Sequence, residues 1–175
     1  TFGRHSIDDL LGFETEDYQY SYNFVSGQAY PGNLYELSNA GTTSAESAKS
    51  SYRMTSFLGR VDYNYDNRYY VGASYRADGT SRLSRQNRWD SFWSVSGAWR
   101  FTGEKFAKPL TKVLTDGKLR LSYGVNGTQP SSYYSYMNLY SYGIKYDGVS
   151  GMGVTSLANP DLKWEKNETG NNGID

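Results

Sequence analysis

The sequence predicts an all-β chain, an antiparallel up-and-down meander, and three observations carry that prediction. The first is strict alternation. Phe57, Gly59, Val61, Tyr63 and Tyr65 fall on one parity, with Arg60, Asp62 and Asn64 on the other. The pattern returns as Tyr69, Val71, Ala73, Tyr75 and Ala77 against Tyr70, Gly72, Ser74, Arg76 and Asp78. It returns again as Trp93, Val95, Gly97, Trp99 and Phe101 against Ser94, Ser96, Ala98, Arg100 and Thr102. Side chains alternate across a strand, so each run has one apolar, aromatic-rich face and one polar face. The second observation is length. Each run holds roughly ten residues, which at about 3.3 Å per residue and a tilt near 40° covers the ~25 Å apolar band of a transmembrane barrel. Strands in soluble sandwiches are shorter, about five or six residues. The third is that connections alternate long, short, long, medium and long, as they do in membrane barrels. The alternative is a soluble, Tyr-rich β-sandwich that binds carbohydrate. It needs a second sheet over Val61, Val71 and Val95.

Each element follows from the same reasoning. His5 to Phe13 carries Ile7, Leu10, Leu11 and Phe13, interrupted by Asp8 and Asp9, and reads as a strand or a short amphipathic helix. Residues 16–50 show no period and end in the low-complexity tract Thr42 to Ala48, so they read as a long loop. Tyr52 to Tyr65 is a strand, Asp66-Asn67 a tight hairpin turn, and Arg68 to Asp78 the returning strand. Gly79 to Arg88 is a polar loop with Arg82, Arg85 and Arg88; Trp89 to Thr102 is the next strand. Phe106, Leu110, Val113 and Leu114 suggest one or two helical turns around Pro109. Lys118 to Asn126 alternates again, with Leu119, Leu121, Tyr123 and Val125 on the apolar parity. A second long Tyr-, Ser- and Gly-rich segment follows, then Asn159 to Glu165 and the start of a last strand.

Composition excludes several classes. The 175 residues include 18 Tyr and 19 Gly, no Cys, and balanced charge. A neutral chain implies neither nucleic acid nor an anionic surface as partner. Absence of Cys removes disulfide and thiolate-metal chemistry. Mean hydropathy is −0.73, and no apolar run approaches the ~18 residues of a membrane helix. Alternate residues alone meet lipid in a barrel, so low hydropathy does not oppose one. Enzyme chemistry finds no footing: Gly148, Gly151 and Gly153 form no dinucleotide fingerprint, and no nucleophile elbow is present. No metal or cofactor is expected, and His5 stands without partners spaced for a metal. Thr1 and Asp175 read as cuts through a longer chain, since about six strands cannot close a membrane barrel.

Several blocks resemble one family. Phe57 to Asp66, Arg68 to Arg82 and Ser91 to Arg100 are similar to the barrel of SusC/RagA-type TonB-dependent transporters. Lys118 to Gln129 and Asn159 to Lys166 match the same family, and His5 to Glu14 matches it more weakly. One departure is Trp93, where the family usually has Pro. The resemblance implies that residues 1–175 form an arc of a ~22-stranded barrel with a plugged lumen. It implies a multi-pass protein of the Gram-negative outer membrane that imports oligosaccharides or peptides. The implied partners are outer-membrane lipid, a SusD-like surface lipoprotein, and the TonB complex, reached through a plug-bearing region N-terminal to this segment.

Candidate residues fall into three groups. Arg60, Asp62, Arg76, Asp78, Arg100 and Arg120 share the polar parity and are expected to face the lumen. They suit contact with plug or substrate, and they suit even better mutual Arg–Asp pairing that holds the wall in register. Loop tyrosines Tyr18, Tyr20, Tyr22, Tyr30, Tyr133, Tyr134, Tyr136, Tyr140 and Tyr142 are candidates for substrate or lid contact, or simply for packing loops together. Phe57, Val61, Tyr63, Tyr65, Tyr69, Val71, Tyr75, Trp93, Val95, Trp99, Leu119, Leu121 and Tyr123 are expected to meet lipid, with aromatic rings forming girdles at its two surfaces.

Overall fold

Eight strands account for most of the chain: β1 (His5–Gln28), β2 (Thr42–Tyr65), β3 (Tyr69–Thr80), β4 (Trp89–Trp99), β5 (Leu119–Thr128), β6 (Leu139–Tyr146), β7 (Val149–Ser156) and β8 (Glu165–Ile174). The computed structural model describes residues 2–109 and 114–175. Six strands form one antiparallel sheet in the order β1-β2-β3-β4-β5-β8, and β6-β7 form a separate hairpin. Neighbours in sequence are neighbours in space throughout the large sheet, apart from the inserted hairpin. The sheet is an open arc and does not close on itself.

Register transmits the sequence parity across every strand. One row reads Ile7, Tyr63, Val71, Gly97, Leu121 and Asn172; another reads Leu10, Arg60, Ser74, Ser94, Gly124 and Thr169. The first lies on the apolar face and the second on the polar face. Asp66 and Asn67 both take positive φ, 53° each, and the Arg68 N–H donates to the Tyr65 carbonyl at 3.0 Å. Asp and Asn tolerate that region better than other non-glycine residues, so the expected tight turn forms there.

Three expectations need correction. Residues 16–50 are not one loop: β1 runs to Gln28 and β2 begins at Thr42, pairing without a slip from Glu16↔Met54 to Gln28↔Thr42. This part is a two-stranded ribbon with no buried face, so burial imposed no apolar period on both strands. The second Tyr- and Gly-rich segment contains the β6-β7 hairpin, closed by Asp147 and Gly148 at φ 48° and 76°. Asp-Gly is a strong two-residue hairpin signal. Around Pro109 the described residues hold two short 3-10 turns, Phe101–Gly103 and Lys105–Ala107. The expected helical residues Leu110 and Val113 lie outside the described residues.

Burial is sparse. Leu83, Phe92 and Trp164 form the one hydrophobic cluster among the described residues, with Leu162 packed against it. Phe92 is on the polar parity, beside Arg76 in register. The cluster therefore forms where the loops after β3 and before β8 fold back over the polar face. The Ser84 hydroxyl and the Asn87 amide donate to the Pro160 carbonyl, and the Trp164 indole N–H donates to the Arg88 carbonyl at 3.1 Å. Leu83 is fully buried. Leu83→Ala should lower the unfolding free energy of the full-length protein by about 2–5 kcal/mol in urea titrations. It should also raise protease cutting in residues 159–165.

Candidate functional site: a two-faced wall with a folded rim

Among the described residues, nothing packs on the apolar face. Val61, Val71 and Val95 remain 49%, 56% and 47% exposed. Rings frame it at two levels. At the tight-turn end, His5, Tyr65, Tyr69, Trp99 and Leu119 stand in one register row. The Tyr69 hydroxyl and the Trp99 indole N–H both donate to Glu104 Oε1, at 2.5 and 3.5 Å. These rings thus offer apolar bodies to the face and polar tips to its edge. The Tyr69 hydrogen bond, with help from Trp99 and Arg68, holds the Glu104 carboxyl below the usual range. At the other end, Phe57 stacks on Trp89 with ring centroids 6.1 Å apart, and on Phe13 at 5.1 Å. Trp89 and Trp99 are ten residues apart, which at about 3.3 Å and a 40° tilt gives a band ~25 Å tall.

Each girdle candidate belongs to this face. Tyr63 accepts or donates a hydrogen bond with His5 Nδ1 at 2.7 Å, placing His5 in the ring belt at the rim. Trp93 packs on Tyr123 at 5.8 Å, and Tyr75 and Leu121 stay exposed beside them. Two carboxylates also occupy this parity, which sequence reasoning missed. Asp9 pairs in register with Val61, and Glu168 with Val125. Glu168 accepts a 2.6 Å hydrogen bond from the Tyr123 hydroxyl. The outward residues of β8 are then Glu168, Gly170, Asn172 and Ile174.

On the polar face the charges pair. Arg60 donates to both Asp62 oxygens, at 2.6 and 3.2 Å. Arg76 bonds Asp78 at 2.6 Å, Glu14 at 3.0 Å and the Ser56 hydroxyl at 2.9 Å, tying three strands together. Asp78 and Ser56 are buried. Arg120 bonds Asp175. Arg100, just past β4, donates to Asp116 at 2.7 Å. All six candidates thus have an acidic or basic partner; Arg60–Asp62 and Arg76–Asp78 pair along one strand rather than across neighbours. Two depressions open between them. One, of about 560 Å³, is bordered by Asp62, Tyr70, Ser96, Arg120 and Ser122. The other, of about 510 Å³, is bordered by Arg76, Asp78, Asn126, Gln129 and Trp164.

The loop tyrosines divide. Tyr18, Tyr52 and Tyr133 form a ring cluster with centroids 5.2–6.2 Å apart, and Tyr134 edges onto Tyr133. The Tyr134 hydroxyl accepts from the Ser51 N–H at 2.8 Å. Arg82 is the residue that binds this cluster, and nothing in its sequence context pointed to that. Its guanidinium carbon lies 3.9 Å from the Tyr52 ring centroid and 4.5 Å from that of Tyr133, and Nη1 donates to the Pro130 carbonyl at 2.9 Å. It joins the β1-β2 ribbon to the loops after β3 and β5. Tyr20 and Tyr22 stay exposed on the ribbon, and Tyr140 and Tyr142 on the hairpin. Tyr30 packs edge-on to Tyr35 near the ribbon tip, and Tyr136 is half-buried at the foot of β6.

At the opposite end, Asp116 Oδ1 gathers Arg100, the Thr102 hydroxyl at 2.9 Å and its own neighbour's N–H, that of Gly117, at 2.9 Å. The Arg100 hydrogen bond above all, then Thr102, lowers the Asp116 pKa. A carboxylate with a depressed folded pKa adds stability above its unfolded pKa and loses it as pH falls through the folded one. Acidifying the full-length protein from about pH 6 to about pH 3 should loosen this clasp. Amide exchange at Gly117, corrected for the intrinsic rate, should rise over that interval. In Asp116→Asn it should be fast already at the higher pH and insensitive to acid.

No protein-family model matches the chain. The curated relatives include the TonB-dependent receptor SusC of Bacteroides thetaiotaomicron, 31% identical over 182 residues that span 100% of this chain and 18% of SusC. The TonB-dependent receptor P39 of Formosa agariphila is 28% identical over 98% of this chain and 17% of its own. Among solved structures, the RagAB peptide transporter superposes with a TM-score of 0.89 at 28% identity, over 98% of this chain and 19% of that one. The chain thus spans less than one fifth of the length of these relatives. The match runs through the whole meander, ribbon and hairpin included. By sequence and by fold, this chain belongs to the SusC/RagA-type TonB-dependent receptors, as a segment of their barrel wall.

Proposed function

We propose that this segment is lipid-embedded wall in an outer-membrane importer, with its apolar face against hydrocarbon and its polar face toward the bore. The observation that carries this reading is the uncovered apolar face. Val61, Val71 and Val95 lie about half exposed with no second layer over them among the described residues, and a soluble sandwich would have buried them. An apolar surface of this extent is unstable in water and stable in lipid. The charge pairs on the other face suit a watery lumen, where Arg–Asp pairs hold neighbouring strands in register. The chemistry is that of a transporter and not of an enzyme.

The relatives extend the reading to cargo and partners. A TonB-energised importer that works with a SusD-like lipoprotein is the assembly this segment fits. RagAB is described as a peptide transporter; for this chain both cargo alternatives, oligosaccharide and peptide, suit the Tyr-rich rim. Arg60, Asp62, Arg76, Asp78, Arg100 and Arg120 would line the bore as structural pairs first and as cargo contacts second.

Val95 and Ser96 separate the two faces by one residue. Val95→Arg places a cation at mid-height of the apolar band and should destabilise the full-length barrel by about 2–4 kcal/mol in bilayer folding titrations. Ser96→Arg, on the polar face, should leave folding nearly unchanged. Equal effects at the two positions would sink the assignment of faces. Uptake of labelled oligosaccharides against labelled peptides by cells carrying the full-length protein then decides the cargo.

A further inference from the structure

Two pieces of this chain rise beyond the wall, each with an apolar face that none of the described residues covers. The first is the upper β1-β2 ribbon. Tyr20, Tyr22 and Phe24 occupy alternate positions on one side, and their cross-strand partners Ser50, Ala48 and Glu46 leave the rings standing free. Tyr22 and Phe24 lie nearly parallel, 7° apart, with centroids at 6.4 Å. The averted side carries Gln19, Ser21, Asn23, Lys49 and Ser47. The second piece is the β6-β7 hairpin, where Tyr140 faces Val154 and Tyr142 faces Met152 across the strands. Tyr142 is 82% exposed and Met152 58%. A lone two-stranded hairpin is marginal in water unless its apolar face is covered.

The hairpin is hinged beside the ribbon. Tyr134, five residues before β6, is bonded to Ser51 of the ribbon, and Tyr133 packs on Tyr18 and Tyr52 at the ribbon's root. The two feet are clipped together: the Asn159 N–H donates to the Ser135 carbonyl at 2.9 Å, and the Ala158 N–H to Asn138 Oδ1 at 2.8 Å. Beyond these feet, residues 139–156 pair only with one another in the bonds described. Eight residues per strand make a blade about 26 Å long, and the free ribbon from Gln19 to Gln28 is about 33 Å long at the same rise. Rungs on both faces repeat every second residue, a spacing of about 6.6 Å on each.

We propose that the β6-β7 hairpin is a strap that swings on residues 137–138 and 157–158 and closes its Tyr140–Tyr142–Met152–Val154 face onto Tyr20, Tyr22 and Phe24. Closure packs two short sheets face to face at the ~10 Å spacing such layers adopt. It covers both apolar faces with one contact and draws the strap across the rim on the polar side of the wall. The occupant is this hairpin, because it is already tethered at the ribbon's root, matches it in length and supplies the complementary apolar rungs. Arg82 fixes the root against which it turns.

Paired cysteines test this in the full-length protein in its membrane, in a background with no other cysteine. Tyr22→Cys with Met152→Cys should be joined in most molecules by a short bismaleimide of about 8 Å reach, since faces ~10 Å apart hold the two sulfurs too far apart for a direct disulfide. Asn23→Cys with Ser141→Cys, on the averted sides, should not. In Tyr22→Cys alone, a membrane-impermeant maleimide should react about tenfold more slowly than after residues 139–156 are replaced by a Gly-Ser linker, as a closed state favoured by about ten to one requires. Equal cross-linking of the two pairs, or none, overturns the proposal. So does protection of Tyr22→Cys that survives loss of the hairpin, which means that another protein covers the ribbon. The readout reports only proximity of two external elements, so it stands or falls separately from the lipid assignment of the wall.

Discussion

Unbroken register is the constraint on which this structure rests. From His5↔Tyr65 to Gln28↔Thr42, and onward through β3, β4, β5 and β8, paired residues follow one another without a bulge. A slip of one residue would turn Val95 inward and Ser96 outward, and would do the same to every strand beyond it. The pivot is the Asp66-Asn67 turn, whose two left-handed residues set Tyr65 opposite Tyr69. Backbone pairing alone does not choose between registers; on the proposed reading, the two solvents on either side of the sheet do.

Charge pairing reinforces that choice locally. Arg76 reaches over β2 to Glu14 and bonds Ser56 on the way, so a slip would part it from both while leaving its bond to Asp78 on the same strand. The exposed pairs, Arg60–Asp62 and Arg120–Asp175, contribute less to stability, because water screens them. They keep cations and carboxylates matched on a surface where either left alone would attract counterions. Above the band the organisation changes hands. Arg82, wedged between two tyrosine rings, and Trp164, buried beside Leu83, fasten the loops to the wall by stacking and burial instead of by ladder bonds.

Legibility in the sequence followed burial and environment. Strands β2 to β5 were readable within the band because alternation there is enforced by two different surroundings. The upper ribbon was not, although Tyr20, Tyr22 and Phe24 do alternate: their partners on β2 are Ser50, Ala48 and Glu46, so only one strand of the pair carries the signal. The β6-β7 hairpin was hidden by the same dilution, despite Asp147-Gly148. The pairing preference of the six charged candidates was legible from parity, but not that two pairs would close along a single strand. Arg82 and Leu83 lay in a stretch that read as an ordinary polar loop, since Tyr52 and Tyr133, and for Leu83 Trp164, lie about 30 to 80 residues away in sequence. Asp9 and Glu168 were invisible for a simpler reason: parity in β1 and β8 is fixed only once their neighbours are known.

The outward side of β8 has a consequence for the surrounding bilayer. Across β2, β3 and β4 the greasy belt is tall, bounded by Trp89 above and Trp99 below. At β8 it shrinks to Ile174, with Asn172, Gly170 and Glu168 above it. On the proposed reading that this face meets lipid, acyl chains beside β8 would have to shorten, tilt or admit water to avoid those groups, a deformation costing fractions of a kcal/mol per Å of mismatch. The proposed embedding would then give this segment an uneven collar of lipid, thinned along the meridian of β8, with the membrane softest at that seam.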